Sequence, residues 1–276
     1  MAVALVGCGG EAGAPESQAA ARADRFDGAR AHRELVRQTE LGPRPAGSAT
    51  LRRLAKQLQD RLPRGRQEAV GGGLSNVVGS LPGRGKAIVV AAHYDTKDIP
   101  GFVGANDGAG GTAAVLEIAR VMRRTTRPAS APPLRFVFFD GEEAPADGQD
   151  FYATALRGSK AYLKRHRAEV RAVVLLDFVA DKDLSLPREA GSDLALWELL
   201  RAAARRAGVG RHFPNETRAE ILDDHTPFAR AGIPAIDLID FDYPYFHTLE
   251  DTADKTSARS LDVAGEAVVE LLRSWR

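Results

Sequence analysis

The feature that most constrains this chain is an alternation of two kinds of segment. Continuous apolar runs at 87–95 ("AIVVAAHYD"), 134–140 ("LRFVFFD"), 170–179 ("VRAVVLLDFV") and 233–240 ("IPAIDLID") have the length and composition of buried strands. Between and after them lie segments with helical spacing: 110–122, 158–167, 193–208 and 257–275. Ala114, Val115, Ile118 and Met122 share one face of the first, Gly208 ends the third and Ser257 caps the last. Strands that are apolar at every position must be covered on both faces. The pattern therefore predicts an α/β fold with a mostly parallel sheet between helices.

Upstream, residues 28–40 and 48–61 have helical spacing, with Leu35, Val36, Leu51, Leu54 and Leu58 facing inward. "RQEAV" and "SNVVGSL" form short strands around the turn Gly71–Gly73. With 276 residues, 44% of them hydrophobic, the chain suits one large α/β domain, or at most two small ones; the composition becomes globular at Phe26, so the expectation is a single domain over 26–276. Net charge is +1, and no basic stripe carries interleaved aromatics, which argues against nucleic-acid binding. No apolar run approaches the roughly 20 residues that span a bilayer.

Residues 1–25 have a different character. The single cysteine, Cys8, excludes an intrachain disulfide and follows Leu5-Val6-Gly7. That box resembles a bacterial lipoprotein processing signal, in which the cysteine is lipidated. The apolar part is short and no basic residue precedes it, so either the true start lies upstream or the match is coincidental. An Ala/Gly/Ser-rich tether follows. The expectation is a lipid-anchored monomer at the bacterial cell envelope, periplasmic or extracellular.

The polar residues cluster where strands end. His93 and Asp95 close the first run; Asp140, Glu142 and Glu143 close the second; Asp177 closes the third; Asp237 and Asp240 lie at the fourth. Ligands of open α/β sheets bind outside the carboxyl ends of the strands. Two carboxylates about 4 Å apart repel by roughly 4 kcal/mol at an effective dielectric near 20, so a set of acids there calls for a cation. Strand-end caps and surface acids are the bland alternative. Asp107 sits in "VGANDGAGG" before a helix; a phosphate loop is the rival reading, and the missing GxxxxGK[ST] and GxGxxG and the acid itself argue against it. His247, in "YPYFHTLEDT", follows Tyr243, Tyr245 and Phe246, which suggests a partly covered pocket. Histidine and carboxylates without cysteine favour zinc or another transition metal over calcium. Trp197 and Trp275 read as packing residues, His166 and His212 as surface residues.

These residues carry a family resemblance. "AAHYDT", "GANDGAGG", "FFDGEEA", "VLLDFV", "LDDHTPFARAGIPAIDL" and "FHTLEDT" follow one another as in zinc-dependent aminopeptidases and the related glutaminyl-peptide cyclotransferases, from about Leu35 to the C-terminus. The resemblance implies a three-layer α/β/α sandwich with a mixed, mostly parallel sheet and peptide N-termini as substrate. In the aminopeptidase pattern His93, Asp107 and Asp177 hold one zinc, and Asp107, Glu143 and His247 hold a second. Glu142 is then general base toward the attacking water. In the cyclase pattern Asp107, Glu143 and His247 hold the only zinc. Glu142 moves a proton from the substrate amine to departing ammonia, and Asp177 and Asp223 form an acid pair beside it. Asp140 is left as a cap on the turn.

The segment between "FFDGEEA" and "LRGSKAYL", together with Asp223-Asp224-His225, resembles the cyclase branch, which is the expectation adopted here, with one zinc. "GANDGAGG" and "HTLEDTADK" resemble the aminopeptidases equally well. Phe246 stands where cyclases usually carry Trp, and Asp237 where some carry His. All ligands of a two-zinc site are present, so aminopeptidase activity is the alternative, and the metal count stays open.

Overall fold

The computed structural model describes residues 25–146 and 148–275; the lipoprotein-like box and Cys8 lie outside them. Strands β1 (Arg66–Gly71), β2 (Leu74–Leu81), β3 (Ala87–His93), β4 (Leu134–Phe139), β5 (Val170–Asp177) and β8 (Ala235–Ile239) form one sheet in the order β1-β2-β4-β3-β5-β8. The pairs β3–β4, β3–β5 and β5–β8 are parallel, whereas β1–β2 and β2–β4 are antiparallel. The sheet is thus mixed, and the hairpin around Gly71–Gly73 supplies its antiparallel edge. Short strands β6 (Arg188–Glu189) and β7 (Thr217–Arg218) pair with each other.

Alternate strand residues feed two cores. Ile88, Val90, Ala92, Phe136, Phe138, Val174 and Leu176 pack beneath one helical layer. That layer contains α1 (Gly28–Thr39), α2 (Ala49–Arg61), α3 (Ala109–Arg124), α6 (Leu194–Arg206) and α8 (Ala258–Ser274). Val89, Ala91, Val137, Phe139, Val173 and Leu175 pack on the other face against Tyr162 and Phe228. Those rings come from α5 (Arg157–His166) and α7 (Thr226–Arg230); the remaining helix, α4 (Phe151–Thr154), is a single turn. This two-sided burial is why the strands show no polar alternation. Ser48, Asp193 and Ser257 cap their helices by accepting backbone N–H bonds from Leu51, Leu196 and Arg259.

Two readings of single residues change. Val36 is only partly buried, at the rim of the core. His166 is not a surface residue. It packs on the Tyr162 ring at 4.5 Å, and its Nε2 lies 2.9 Å from Glu68 Oε2 on β1. The run "LKRHR" looks solvated, but His166 is the position that turns inward, and a carboxylate from a remote strand meets it.

Candidate active site

The three parallel strands β3, β4 and β5 end together, so His93, the turn after Phe139 and Asp177 share one edge of the sheet. Each flanking turn is pinned by a buried acid. Asp95 accepts the backbone N–H groups of Glu142 and Glu143 at 3.2 and 3.3 Å, which fixes the turn that presents both glutamates. Asp140 faces away, accepting Ser75 N–H at 2.8 Å; it is the cap on this turn. Burial, then the nearby Asp95 charge, pushes its carboxyl up to about 7.

The loop before α3 is held in a similar way. Asp251 accepts the N–H groups of Asn106 and Asp107 at 2.8 and 3.1 Å and the Tyr243 hydroxyl at 2.7 Å. Arg44, fully buried, donates to the carbonyls of Gln38, Gly42, Val103 and Gly104. Gly108 opens α3 at φ +87°, where a Cβ would meet Asp95 O at 2.7 Å and His93 Cε1 at 3.2 Å, so only glycine fits. Two non-glycine residues at the site adopt the left-handed region, Phe178 (φ +45°) directly after Asp177, and His247 (φ +52°). Such backbone costs about 1–3 kcal/mol per residue and persists where the surroundings impose it. Phe246 stacks on the His247 ring at 3.9 Å and Phe102 meets it edge-on at 6.1 Å.

Two ligand triads result, and Asp107 belongs to both. His93 Nε2 lies 3.2 Å from Asp107 Oδ1 and 3.4 Å from Asp177 Oδ1. His247 Nε2 lies 3.1 Å from Glu143 Oε1 and 3.4 Å from Asp107 Oδ2. In each triad the candidate ligand atoms fall within 4.8 Å of one another. Both ring nitrogens of His93 and Oδ2 of Asp107 are buried without a well-formed hydrogen bond. Unsatisfied imidazole and carboxylate atoms converging at that distance suit a zinc-like cation.

The electrostatics show the same need. Burial, then Glu143, raises the Asp107 carboxyl to about 7. Burial, then Glu143, also holds Glu142 well above the ordinary glutamate value. Burial alone would lower His93 and His247. Asp177 and Asp107 outweigh it at the first and Glu143 at the second, so both rings are raised. Asp223 is pushed up to about 6, by burial first and then by the Asp177 charge. Asp237 is held well above its ordinary value by burial first and then by the Asp223 charge; both its carboxylate oxygens and Oδ2 of Asp223 are buried without a hydrogen-bond partner, and Asp177 bears on Asp223 through charge. Behind Asp237, His225 Nε2 lies 3.3 Å from Glu189 Oε1. Asp240 is not part of the cluster: it accepts Ser185 N–H at 2.7 Å.

Above these groups opens a cavity of about 330 Å³. Asp107, Glu142, Glu143, Asp177, Asp223 and His247 line its polar side, and Phe151, Phe178, Leu222, Phe241 and Phe246 its apolar side. Polar groups that converge in an apolar-walled cleft are the usual form of a small-ligand site.

The comparisons with known proteins agree with this geometry. Residues 76–272 match Peptidase family M28. The chain belongs to that family. It is 29% identical over 234 residues to the glutaminyl-peptide cyclotransferase of Bothrops jararaca, a match covering 68% of this chain and 62% of the relative. The chain thus spans about three fifths of the length of such relatives. Among solved structures, the glutaminyl cyclase of an Acidobacteriales bacterium is 30% identical with a TM-score of 0.77, covering 97% of this chain and 98% of that one. A leucine aminopeptidase precursor from Bacteroides thetaiotaomicron is 26% identical with a TM-score of 0.81, covering 91% and 98%. The proteins it resembles thus include both glutaminyl cyclases and aminopeptidases. Among the described residues no helix is long and apolar enough to cross a membrane.

Asp251 and Arg44 are site-building residues that the sequence did not single out. Asp251 lies inside the quoted "FHTLEDT", so its motif was in view; Arg44, in "LGPRPAGS", gave only the signal of a helix break.

Proposed function

We propose that the chain is a zinc-dependent glutaminyl-peptide cyclotransferase, converting an N-terminal glutamine to pyroglutamate with release of ammonia. The observation that carries this reading is the surplus of acid in the cavity. Beyond the triad Asp107, Glu143 and His247, it holds Glu142, Asp177 and Asp223. That suits a substrate entering amine first. Asp107, Glu143 and His247 would hold the zinc, which when bound polarises the γ-amide carbonyl as a Lewis acid. The acids draw in the α-ammonium group, and the apolar wall takes the methylenes and shuts out water. The ammonium gives up its extra proton to solvent, and the neutral amine nitrogen then attacks the γ-carboxamide carbon of the same residue, an intramolecular step whose gain is proximity. Glu142 accepts the proton that the amine loses and delivers it to the leaving ammonia, so the proton balance closes within the site. Its raised pKa suits both halves of that transfer.

The second triad, His93, Asp107 and Asp177, favours the alternative of a two-zinc aminopeptidase. One experiment separates the two. The purified, zinc-loaded protein is offered a peptide led by glutamine and another led by leucine. The proposal expects the first to lose ammonia and become blocked at its N-terminus, with all peptide bonds intact, and the second to stay unchanged. Release of free leucine or glutamine would overturn it in favour of the peptidase.

A further inference from the structure

A second cavity, of about 400 Å³, lies between α1, α2 and α3. Six arginines line it: Arg30, Arg33 and Arg37 from α1, Arg61 from α2, and Arg120 and Arg123 from α3. Its three acids do not balance them. Glu34 is shared by Arg37 and Arg61 at the α1–α2 contact. Glu117 is shared by Arg30 at 3.7 Å and Arg120 at 2.5 Å. Asp60 is taken by Lys56 at 2.5 Å, outside the cavity. The lining thus carries six guanidinium groups against three carboxylates, and Arg30 also meets Asp27 at 3.6 Å outside it. Arg33 and Arg123 are exposed and make no ion pair or hydrogen bond with any described residue. Nothing in the proposed chemistry uses this surface.

We propose that this arginine-lined cavity is a docking surface for anionic phospholipid headgroups, seating the domain on a membrane with its active site turned away. Three observations favour that occupant. Guanidinium forks match phosphate oxygens bidentately, and here several converge without enough carboxylates to consume them. No aromatic side chain lines the cavity, so it lacks the stacking platforms that single-stranded nucleic acid uses. Arg120 Nη2 donates to the Arg25 carbonyl at 3.1 Å, so the segment preceding Arg25, which carries Cys8, joins the domain at the rim of the patch. The orientation follows from α3. The helix begins at Ala109 beside the site, and Arg120 and Arg123 lie about 15–20 Å further along its axis, towards the opposite end of the sheet. A membrane bound there leaves the catalytic cleft open to peptides.

The test uses the full chain with Cys8 unmodified, sedimented with vesicles of phosphatidylglycerol and phosphatidylcholine or of phosphatidylcholine alone. Binding should occur only to the anionic vesicles and should weaken as salt is raised. A basic residue near an anionic surface is worth about a factor of five in partitioning, so Arg33→Ala with Arg123→Ala should cut binding about thirtyfold. The pair Lys182→Ala and Arg211→Ala removes the same charge from exposed positions outside the patch and should change binding less than threefold. Both double variants should keep wild-type turnover on a soluble peptide. Equal binding to neutral vesicles, equal loss in the two double variants, or capture of a short RNA without capture of vesicles would each overturn the proposal.

Discussion

Removing the metal with a chelator and moving from pH 8 to pH 6 should raise the melting temperature of the metal-free protein and weaken its hold on zinc. Asp107 and Asp140 both sit at about 7 in the fold, against roughly 3.9 in the unfolded chain. An acid raised in this way adds stability that is fully present below its unfolded pKa and is lost as pH rises through its folded value. Between pH 6 and pH 8 each passes from about one-tenth to nine-tenths ionised, a loss of about 1–2 kcal/mol per group. Together they give about 3 kcal/mol, or about 5 °C or more in melting temperature for a chain of this size. His93 and His247 act in the same sense: their pKa values are raised, so their stabilisation is complete below about 6.5 and disappears as pH climbs through the folded values. The carboxylates with lowered pKa, Glu68, Glu169 and Glu189, titrate below this window and do not oppose the trend. Zinc must displace the Asp107 proton, so from that group alone its apparent affinity should be about tenfold weaker at pH 6 than at pH 8. Saturating zinc should cancel the Asp107 share of the pH dependence and leave that of Asp140. Differential scanning calorimetry with chelator, and competition against a chromogenic zinc indicator, measure the two effects. A metal-free protein that melts higher at pH 8, or a zinc affinity that is flat from pH 6 to 8, would refute the reasoning.

Glu142→Gln keeps shape and removes the proton carrier; turnover should fall about 10²-fold or more with bound zinc unchanged by elemental analysis. His93→Ala should retain one zinc per chain, held by Asp107, Glu143 and His247; loss of all metal would show that the His93 triad is the principal site. Asp251→Ala leaves the N–H groups of Asn106 and Asp107 and the Tyr243 hydroxyl without their shared acceptor. It should cost about 3 kcal/mol in urea unfolding and lower zinc affinity at the same time; an unchanged denaturation midpoint would count against this anchoring role.

The sequence exposed the parts of this protein that depend on local pattern. Runs such as Val170–Asp177 announce both a buried strand and the acid at its end, because an all-apolar strand makes its first polar residue conspicuous. The order of motifs then supplied the family. Less legible were residues whose partners are backbone groups of distant loops. Arg44 meets carbonyls at Val103 and Gly104, and Asp251 meets amides at Asn106 and Asp107; no periodicity encodes such pairings. The antiparallel pairing of β2 with β4 was equally hidden, since an apolar strand looks the same in either direction. His166 reads as a surface residue because its neighbours are basic, whereas its partner Glu68 lies 98 residues earlier.

The Asp251 clamp bears on how the protein comes into being. Asp107 and Asp251 are separated by 144 positions, and Glu143 and His247 by 104. A chain emerging from the ribosome can pair β3, β4 and β5 while the loop around Asp107 still lacks its anchor and the His247 triad lacks its histidine. Contacts of such separation repay their loop-closure entropy only after the intervening chain is ordered. If the triad holds zinc as proposed, its capture belongs to the last stage of maturation. A nascent chain short of residue 251 would present carboxylates that repel one another at the sheet edge and would be poorly prepared to select a cation, so ion selection is a property of the finished fold.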